Sequence, residues 1–165
     1  MNNTGYNGNT NLTKKGHQHT FTAEQAQEVI RVRDDIEYFA EKYFTIVHVD
    51  HGKMKIPLYD YQRELLKHLK ENRFSIIVQC RQSGKTTTLT IEILHYIMFN
   101  KDKRVYILAN KSDTSQEILS RIKLAFELLP NWMKPNVVEW NKKSVEFENG
   151  CIIQAAATSS SSIRG

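Results

Sequence analysis

Lys85 and Thr86 stand side by side behind a glycine, in the run Arg81-Gln82-Ser83-Gly84-Lys85-Thr86-Thr87. An ammonium next to a small hydroxyl suits a phosphate ligand: Lys85 for the outer phosphates, Thr86 for the Mg²⁺ they carry. The amides of Ser83, Gly84, Lys85, Thr86 and Thr87 complete such a cradle when they open a helix. The first helical N–H groups have no intrahelical partner and face an anion. The flanking sequence meets that requirement. Residues 74–78 form a short apolar run that reads as a buried strand, and residues 88–99 carry a helical pattern. A standard phosphate-binding signature has a glycine five residues before its Gly-Lys, where this chain has Gln79. Glycine normally permits a strained backbone there. The order of strand, turn and helix therefore carries the assignment, together with Arg81 and Gln82 inside the loop.

About two dozen residues upstream lies Leu58-Tyr59-Asp60-Tyr61-Gln62-Arg63. A glutamine amide offers one donating and one accepting end, which matches the N6 and N7 edge of adenine. Gln62 is the candidate for that contact, with Tyr59 or Tyr61 packed beside the base. The competing reading is a surface glutamine next to a core tyrosine.

These residues must be positioned by a scaffold, and 165 residues allow one domain with a real core. A hydrophobic fraction of 40% and a charged fraction of 25% are those of an ordinary soluble globular chain. The net charge of +5 permits contact with nucleic acid without arguing for it. Cys80 and Cys151 are the two cysteines, far apart and without metal-ligand spacing. Both fall in expected strands and read as small buried thiols in a reducing compartment. No signal peptide is visible. The longest strongly apolar stretch, residues 91–99, is broken by Glu92 and His95 and is too short to span a bilayer. A soluble, intracellular protein is expected.

Residues 1–20 are rich in Asn, Thr, Gly, Lys and His and are expected to be a disordered tail. His17 and His19 lack further metal ligands around them. A helical subregion follows over 21–57, opened by a capping-box pattern from Thr22 to Gln25 and continued as one or two helices through Tyr43. Residues 44–49 look extended. Residues 58–70 are again helical, with Tyr61, Leu65, Leu66 and Leu69 as the buried stripe. Residues 104–109 read as a second buried strand and 112–129 as an amphipathic helix stopped by Pro130. Strands separated by helices of this length imply crossovers and a parallel sheet. Residues 144–148 alternate, Asn149-Gly150 is a two-residue hairpin turn, and 151–157 continue as a strand. The fold class is α/β, a parallel sheet with crossover helices and an appended antiparallel hairpin. Residues 158–165 look like a polar loop.

Taken together, Leu58-Tyr59-Asp60-Tyr61-Gln62 and Arg81-Gln82-Ser83-Gly84-Lys85-Thr86-Thr87 resemble the ATPase domain of the large terminase subunit of tailed bacteriophages. Further matching stretches are Phe99-Asn100-Lys101-Asp102-Lys103, Leu128-Leu129-Pro130, Val138-Glu139-Trp140-Asn141-Lys142 and Ile163-Arg164-Gly165. The resemblance runs from about Asp35 to the last residue. That family's loop also lacks the first glycine and carries an arginine in the place of Arg81. Its members hydrolyse ATP to drive viral DNA into a procapsid, and a separate nuclease domain cuts the concatemer. The resemblance implies an incomplete P-loop NTPase domain over 58–165, with ATP and Mg²⁺ as cofactors. Lys85 would neutralise the β- and γ-phosphates, Thr86 would ligate Mg²⁺, and Gln62 would read adenine. Arg81 would lie near the γ-phosphate, where an arginine can be worth roughly 10³–10⁵ in rate. Arg164 matches an arginine that precedes the family's second acidic motif and could reach a neighbouring subunit's nucleotide. Implied partners are double-stranded viral DNA, the small terminase subunit, the procapsid portal and further copies of the chain, in the host cytoplasm and without a membrane.

The family's acidic motif, four apolar residues followed by Asp-Glu, does not occur in these 165 residues. Its Asp orders Mg²⁺ and its Glu polarises the attacking water. The expectation is that this chain alone binds ATP weakly and hydrolyses it negligibly, either because a second polypeptide supplies the rest or because the chain is a decayed remnant. A helicase-type translocase and a non-catalytic nucleotide-binding module remain the alternatives.

Overall fold

A computed structural model describes residues 5–48 and 50–158 as a mixed α/β fold. The helices begin where local chemistry tells them to. Helix α1 (Ala23–Asp34) opens on a capping box in which the Gln25 amide donates to the Thr22 hydroxyl at 3.2 Å. In return, the Thr22 amide donates to the Gln25 side chain at 3.1 Å. Asp35 then ends α1 in an extended conformation and caps helix α2 (Ile36–Lys42), its carboxylate accepting from the Tyr38 amide. The expected one or two helices are thus two, broken by a single aspartate. A small antiparallel hairpin follows, β3 (Ile46–His48) and β4 (Gly52–Met54). Helices α3 (Asp60–Glu71) and α4 (Lys85–Phe99) flank the Gly-Lys-Thr loop.

Strand β5 (Arg104–Ala109) and helix α5 (Ser112–Leu128) come next, then β6 (Val137–Trp140), β7 (Ser144–Phe147) and β8 (Ile152–Ala157). The sheet order is β5-β8-β7-β6. β5 runs parallel to β8 with Tyr106 opposite Gln154, whereas β7 pairs antiparallel with both β8 and β6. The expected hairpin is therefore present, with Asn149-Gly150 between β7 and β8, and one parallel pair carries the crossover through α5. Helix α5 lies on β5 and β8, α4 packs on α5, and α2 and α3 pack on α4. Leu66, Ile91, Leu94, Ile97, Leu119, Ile122, Phe126 and Ile153 belong to one buried cluster that joins these layers.

Two expectations are corrected. The stretch 1–20 is not a featureless tail among the described residues. Strands β1 (Gly5–Tyr6) and β2 (Asn9–Thr13) form a hairpin, and Leu12 is 1% exposed. The Lys15 amide donates to the Val137 carbonyl at 3.1 Å, and the Asn131 side chain donates to the Thr10 carbonyl. Composition averaged over twenty residues hides this, because one leucine suffices when the rest of the fold supplies its socket. The second correction concerns residues 74–78. They form no strand, and Phe74, Ile76 and Val78 are 82%, 95% and 90% exposed. A strand needs a hydrogen-bonding neighbour, and no described strand pairs with this segment. β5 is correspondingly an end strand rather than a buried one, with Tyr106 and Leu108 partly exposed.

Candidate functional site

Gly84 sets the geometry of the loop. Its φ of +75° and ψ of 9° place it in the left-handed region, immediately before the first residue of α4. Gln82 also has a positive φ, 61°. Left-handed residues in a short loop are the backbone setting in which successive amides can form an anion-binding concavity. The first helix bond is made by the Thr88 amide to the Gly84 carbonyl at 3.0 Å. Among the described residues, the amides of Ser83, Gly84, Lys85, Thr86 and Thr87 donate to no protein acceptor. Five unspent donors at the positive end of a 15-residue helix form an anion-binding surface.

The side chains of the loop fit the same use. The Lys85 ammonium folds back to donate to the Cys80 carbonyl at 2.9 Å, a single bond that a stronger acceptor can replace. The Thr86 carbonyl accepts from the Thr90 hydroxyl at 2.8 Å, while the Thr86 hydroxyl makes no bond to a described protein group. A small hydroxyl of this kind in the first helical turn suits a hard cation that keeps most of its waters. Ser83 donates through its hydroxyl to Gln79, the residue that replaces the usual first glycine. Arg81 stands exposed at the head of the loop. Arg164 lies outside the described residues.

Helix α3 braces the loop from behind. The Tyr61 hydroxyl donates to the Ser83 carbonyl at 2.9 Å. Gln62, 2% exposed, donates through Nε2 to the Thr88 hydroxyl at 3.1 Å and accepts through Oε1 from the Tyr59 amide at 3.1 Å. Both ends of its amide are thus engaged inside the protein. Tyr59 and Tyr61 stack on each other with ring centroids 5.5 Å apart, and both are exposed beside the loop. Gly84 packs so closely that a Cβ there would lie 2.7 Å from Gln62 Nε2. Glycine is required at 84 twice over, by its φ and by its neighbour.

A half-open cavity of about 440 Å³ adjoins the loop helix, lined by Phe44, Ile46, Thr87, Thr90, Arg121 and Leu124 among others. That size falls within the range of small-ligand pockets. Sequence reasoning did not point to it, because its walls come from three separated segments. It also missed Thr88, whose role depends on a partner 26 residues away.

Residues 76–165 match the family model described as terminase large subunit, T4likevirus-type, N-terminal. The matched stretch covers the loop, α4, β5, α5 and the strands after it. The chain belongs to this terminase family. That places it with the large subunits of viral DNA-packaging terminases. Two turn motifs of the terminase match meet in space. The Asp102 amide donates to the Asn149 carbonyl at 3.1 Å, joining the turn after α4 to the β7–β8 hairpin. Gln62 and Tyr61 lie outside the matched residues, so this terminase's bracing of the loop is a property read from its own geometry. Among the described residues no cluster of metal-ligating side chains is found, and no helix is long and apolar enough to cross a membrane.

Proposed function

We propose that the loop from Arg81 to Thr87 binds the triphosphate of ATP with Mg²⁺, as the nucleotide site of a packaging ATPase. The observation that carries this reading is the set of five amides from Ser83 to Thr87 that donate to no described protein acceptor, around a left-handed Gly84 next to Lys85. On this reading the domain is the front part of a P-loop fold. Lys85 exchanges the Cys80 carbonyl for the β- and γ-phosphates, Thr86 contributes a ligand to Mg²⁺, and Arg81 meets the γ-phosphate. Bound Mg²⁺ supplies charge neutralisation to the phosphoryl group. Hydrolysis drives translocation of double-stranded viral DNA, with the small terminase subunit, the portal and further copies of the chain as partners.

The acidic pair that orders Mg²⁺ and the attacking water is not among these residues. Nucleotide binding is the property that the loop's own residues carry. Family membership favours a packaging motor over a helicase-type translocase.

Calorimetric titration of the chain with ATP in the presence and absence of Mg²⁺ tests the reading. Binding should strengthen with Mg²⁺ and fall about tenfold or more in Lys85→Ala, the loss expected for one charge-assisted bond. ATP binding that is indifferent to both Mg²⁺ and Lys85 would sink it.

A further inference from the structure

We propose that residues 14–19 are an acid-released clasp, which fastens the N-terminal hairpin to the end strand of the sheet through Asn136 and Glu148 and loosens when the His19 ring takes a second proton. Strand β6 ends the sheet, and an end strand presents backbone groups that need a partner. The segment after β2 covers the start of that edge. Lys14 bridges Val137 in parallel, and the Lys15 amide donates to the Val137 carbonyl at 3.1 Å. Further bonds converge on the side chains just before β6 and just after β7. The Gly16 amide donates to Glu148 Oε1 at 3.0 Å. Asn136 Nδ2 donates to the His17 carbonyl and to Glu148 Oε2, each at 2.7 Å. His19 Nε2 lies 3.1 Å from Asn136 Oδ1. Asn136 is 6% exposed, so this hub sits inside the clasp rather than on top of it.

The hub decides where each proton sits. Asn136 Nδ2 faces two acceptors, so its Oδ1 faces His19, and His19 Nε2 carries the hydrogen of the neutral ring. A second proton therefore enters at Nδ1, which bonds to none of the described residues. The new charge stands beside the His17 ring, whose centroid is 4.7 Å away, and near Lys134. Burial pushes the His19 pKa below its ordinary 6.5. The bond to Asn136 and the charge of Glu148 oppose that push, while His17 and Lys134 add to it. Glu148 is the acid that faces the ring, but both of its oxygens are committed, to the Gly16 amide and to Asn136. Lys15 faces the same carboxylate. Those bonds, Asn136 first and then Gly16, hold the Glu148 carboxyl below its ordinary value of 4.5, so it stays ionised while His19 titrates. A released segment binds the histidine proton more readily than a docked one. Closure is thus complete above the ordinary histidine value and weakens as pH falls below it.

Amide hydrogen exchange on the full chain at pH 7.5 and pH 5.5, corrected for intrinsic rates, reads the opening of the clasp at Lys15 and Gly16. One histidine of ordinary value can shift an opening constant by at most about tenfold between these conditions. A rise of about threefold to tenfold is therefore expected at pH 5.5. Amides in the middle of α4 are the reference. Burial holds the His95 pKa down as well, but its ring bonds to the Val32 carbonyl and acts on that helix instead. His19→Gln keeps an N–H for Asn136 and cannot become charged, so it should stay closed at both pH values. Asn136→Ala removes the hub and should leave Lys15 and Gly16 fast-exchanging at both. Should that variant fail to fold, the comparison of wild type with His19→Gln still decides. Protection in wild type that is unchanged or stronger at pH 5.5 overturns the proposal, as does a rise that persists in His19→Gln. An equal rise in α4 also overturns it, because the whole chain and not the clasp would then be titrating.

Discussion

The side-chain amide of Asn149 donates to the Ile97 carbonyl at 2.7 Å and bridges the β7–β8 turn to the C-terminal end of α4. It donates as well to the Asn100 carbonyl at 3.0 Å, while its Oδ1 accepts from the Cys151 amide. One turn residue thereby satisfies carbonyls that the end of a helix leaves without partners. The helix is the one that begins at Lys85, so the end of α4 far from the Gly-Lys-Thr loop is moored to the sheet.

Asn149→Ala should cost about 1–3 kcal/mol, the range for orphaning buried acceptors. Gly150→Ala should cost at least as much. Its φ is +79°, and an added Cβ would lie 2.1 Å from the Asp102 carboxylate. Chemical denaturation of both variants measures this, and loss of less than about 0.5 kcal/mol in both would show the mooring to be idle.

Lys134 provides a second internal tie. It is 3% exposed, and its ammonium donates to the carbonyls of Phe126, Glu127 and Leu129 at 3.1, 3.2 and 2.9 Å, at the end of α5. Burial pushes its pKa down to about 8, against the pull of Glu127. The unfolded chain then holds the proton between about pH 8 and the ordinary value of 10.5, so stability attributable to this residue rises with pH across that window. Below pH 8 the burial cost is fully present. Lys134→Met should be destabilising by about 2 kcal/mol at pH 7, because three carbonyls lose their donor. The gap from wild type should widen between pH 8 and 10. Paired denaturation curves at pH 7 and 10 provide the check, and a gap that narrows would refute the assignment.

Glu28 also contributes stability that rises with pH, but at the acid end and because its charged form is the favoured one. One of its oxygens accepts from the Lys42 ammonium at 2.8 Å, the Tyr43 hydroxyl at 2.7 Å and the Tyr38 hydroxyl at 2.9 Å, tying α1 to α2. Lys42 first, then Tyr43, hold its carboxyl down at about 2. The stabilisation is present above the ordinary value of 4.5 and is lost as pH falls toward 2. Solvent around Lys42 screens the pair, so Glu28→Gln should cost on the order of 1 kcal/mol at pH 7. Thermal melts of wild type and variant should converge between pH 4 and pH 2.

Cys80 and Cys151 separate cleanly. Cys80 is exposed, whereas Cys151 is fully buried with its thiol directed at the Asn100 carbonyl. A maleimide should label Cys80 in the native protein and reach Cys151 only on unfolding, as peptide mass analysis would show. By the same exposure, Ile76→Lys and Val78→Lys should each change stability by less than about 0.5 kcal/mol. Losses of about 2 kcal/mol or more would mean that this face is covered in solution.

Helix α1 and the β7–β8 hairpin were legible in the sequence because their ends are written in short-range chemistry, as Thr22 with Gln25 and Asn149 with Gly150 illustrate. The loop was legible for the same reason, since its residues are contiguous. Its bracing was not. In α3 the positions 62, 65, 66 and 69 share one face, yet the polar character of Gln62 suggested an outward role and the ring of Tyr61 an inward one. The structure reverses them, leaving Tyr61 40% exposed and Gln62 buried. A polar residue can join an inward face when distant groups satisfy it, and those partners are invisible along the chain. Residues 74–78 erred the other way, since an apolar run specifies affinity for a neighbouring strand without supplying one.

The hairpin of residues 5–13 bears on how the molecule is made. Leu12 leaves a ribosome well before its partner, since the Val137 segment against which its hairpin is stitched is translated roughly 125 residues later. At about 5–20 residues per second, that delay is roughly 6–25 s. For that interval the nascent chain carries a leucine whose socket has not yet been made, so the hairpin docks only after the segment that receives it has emerged.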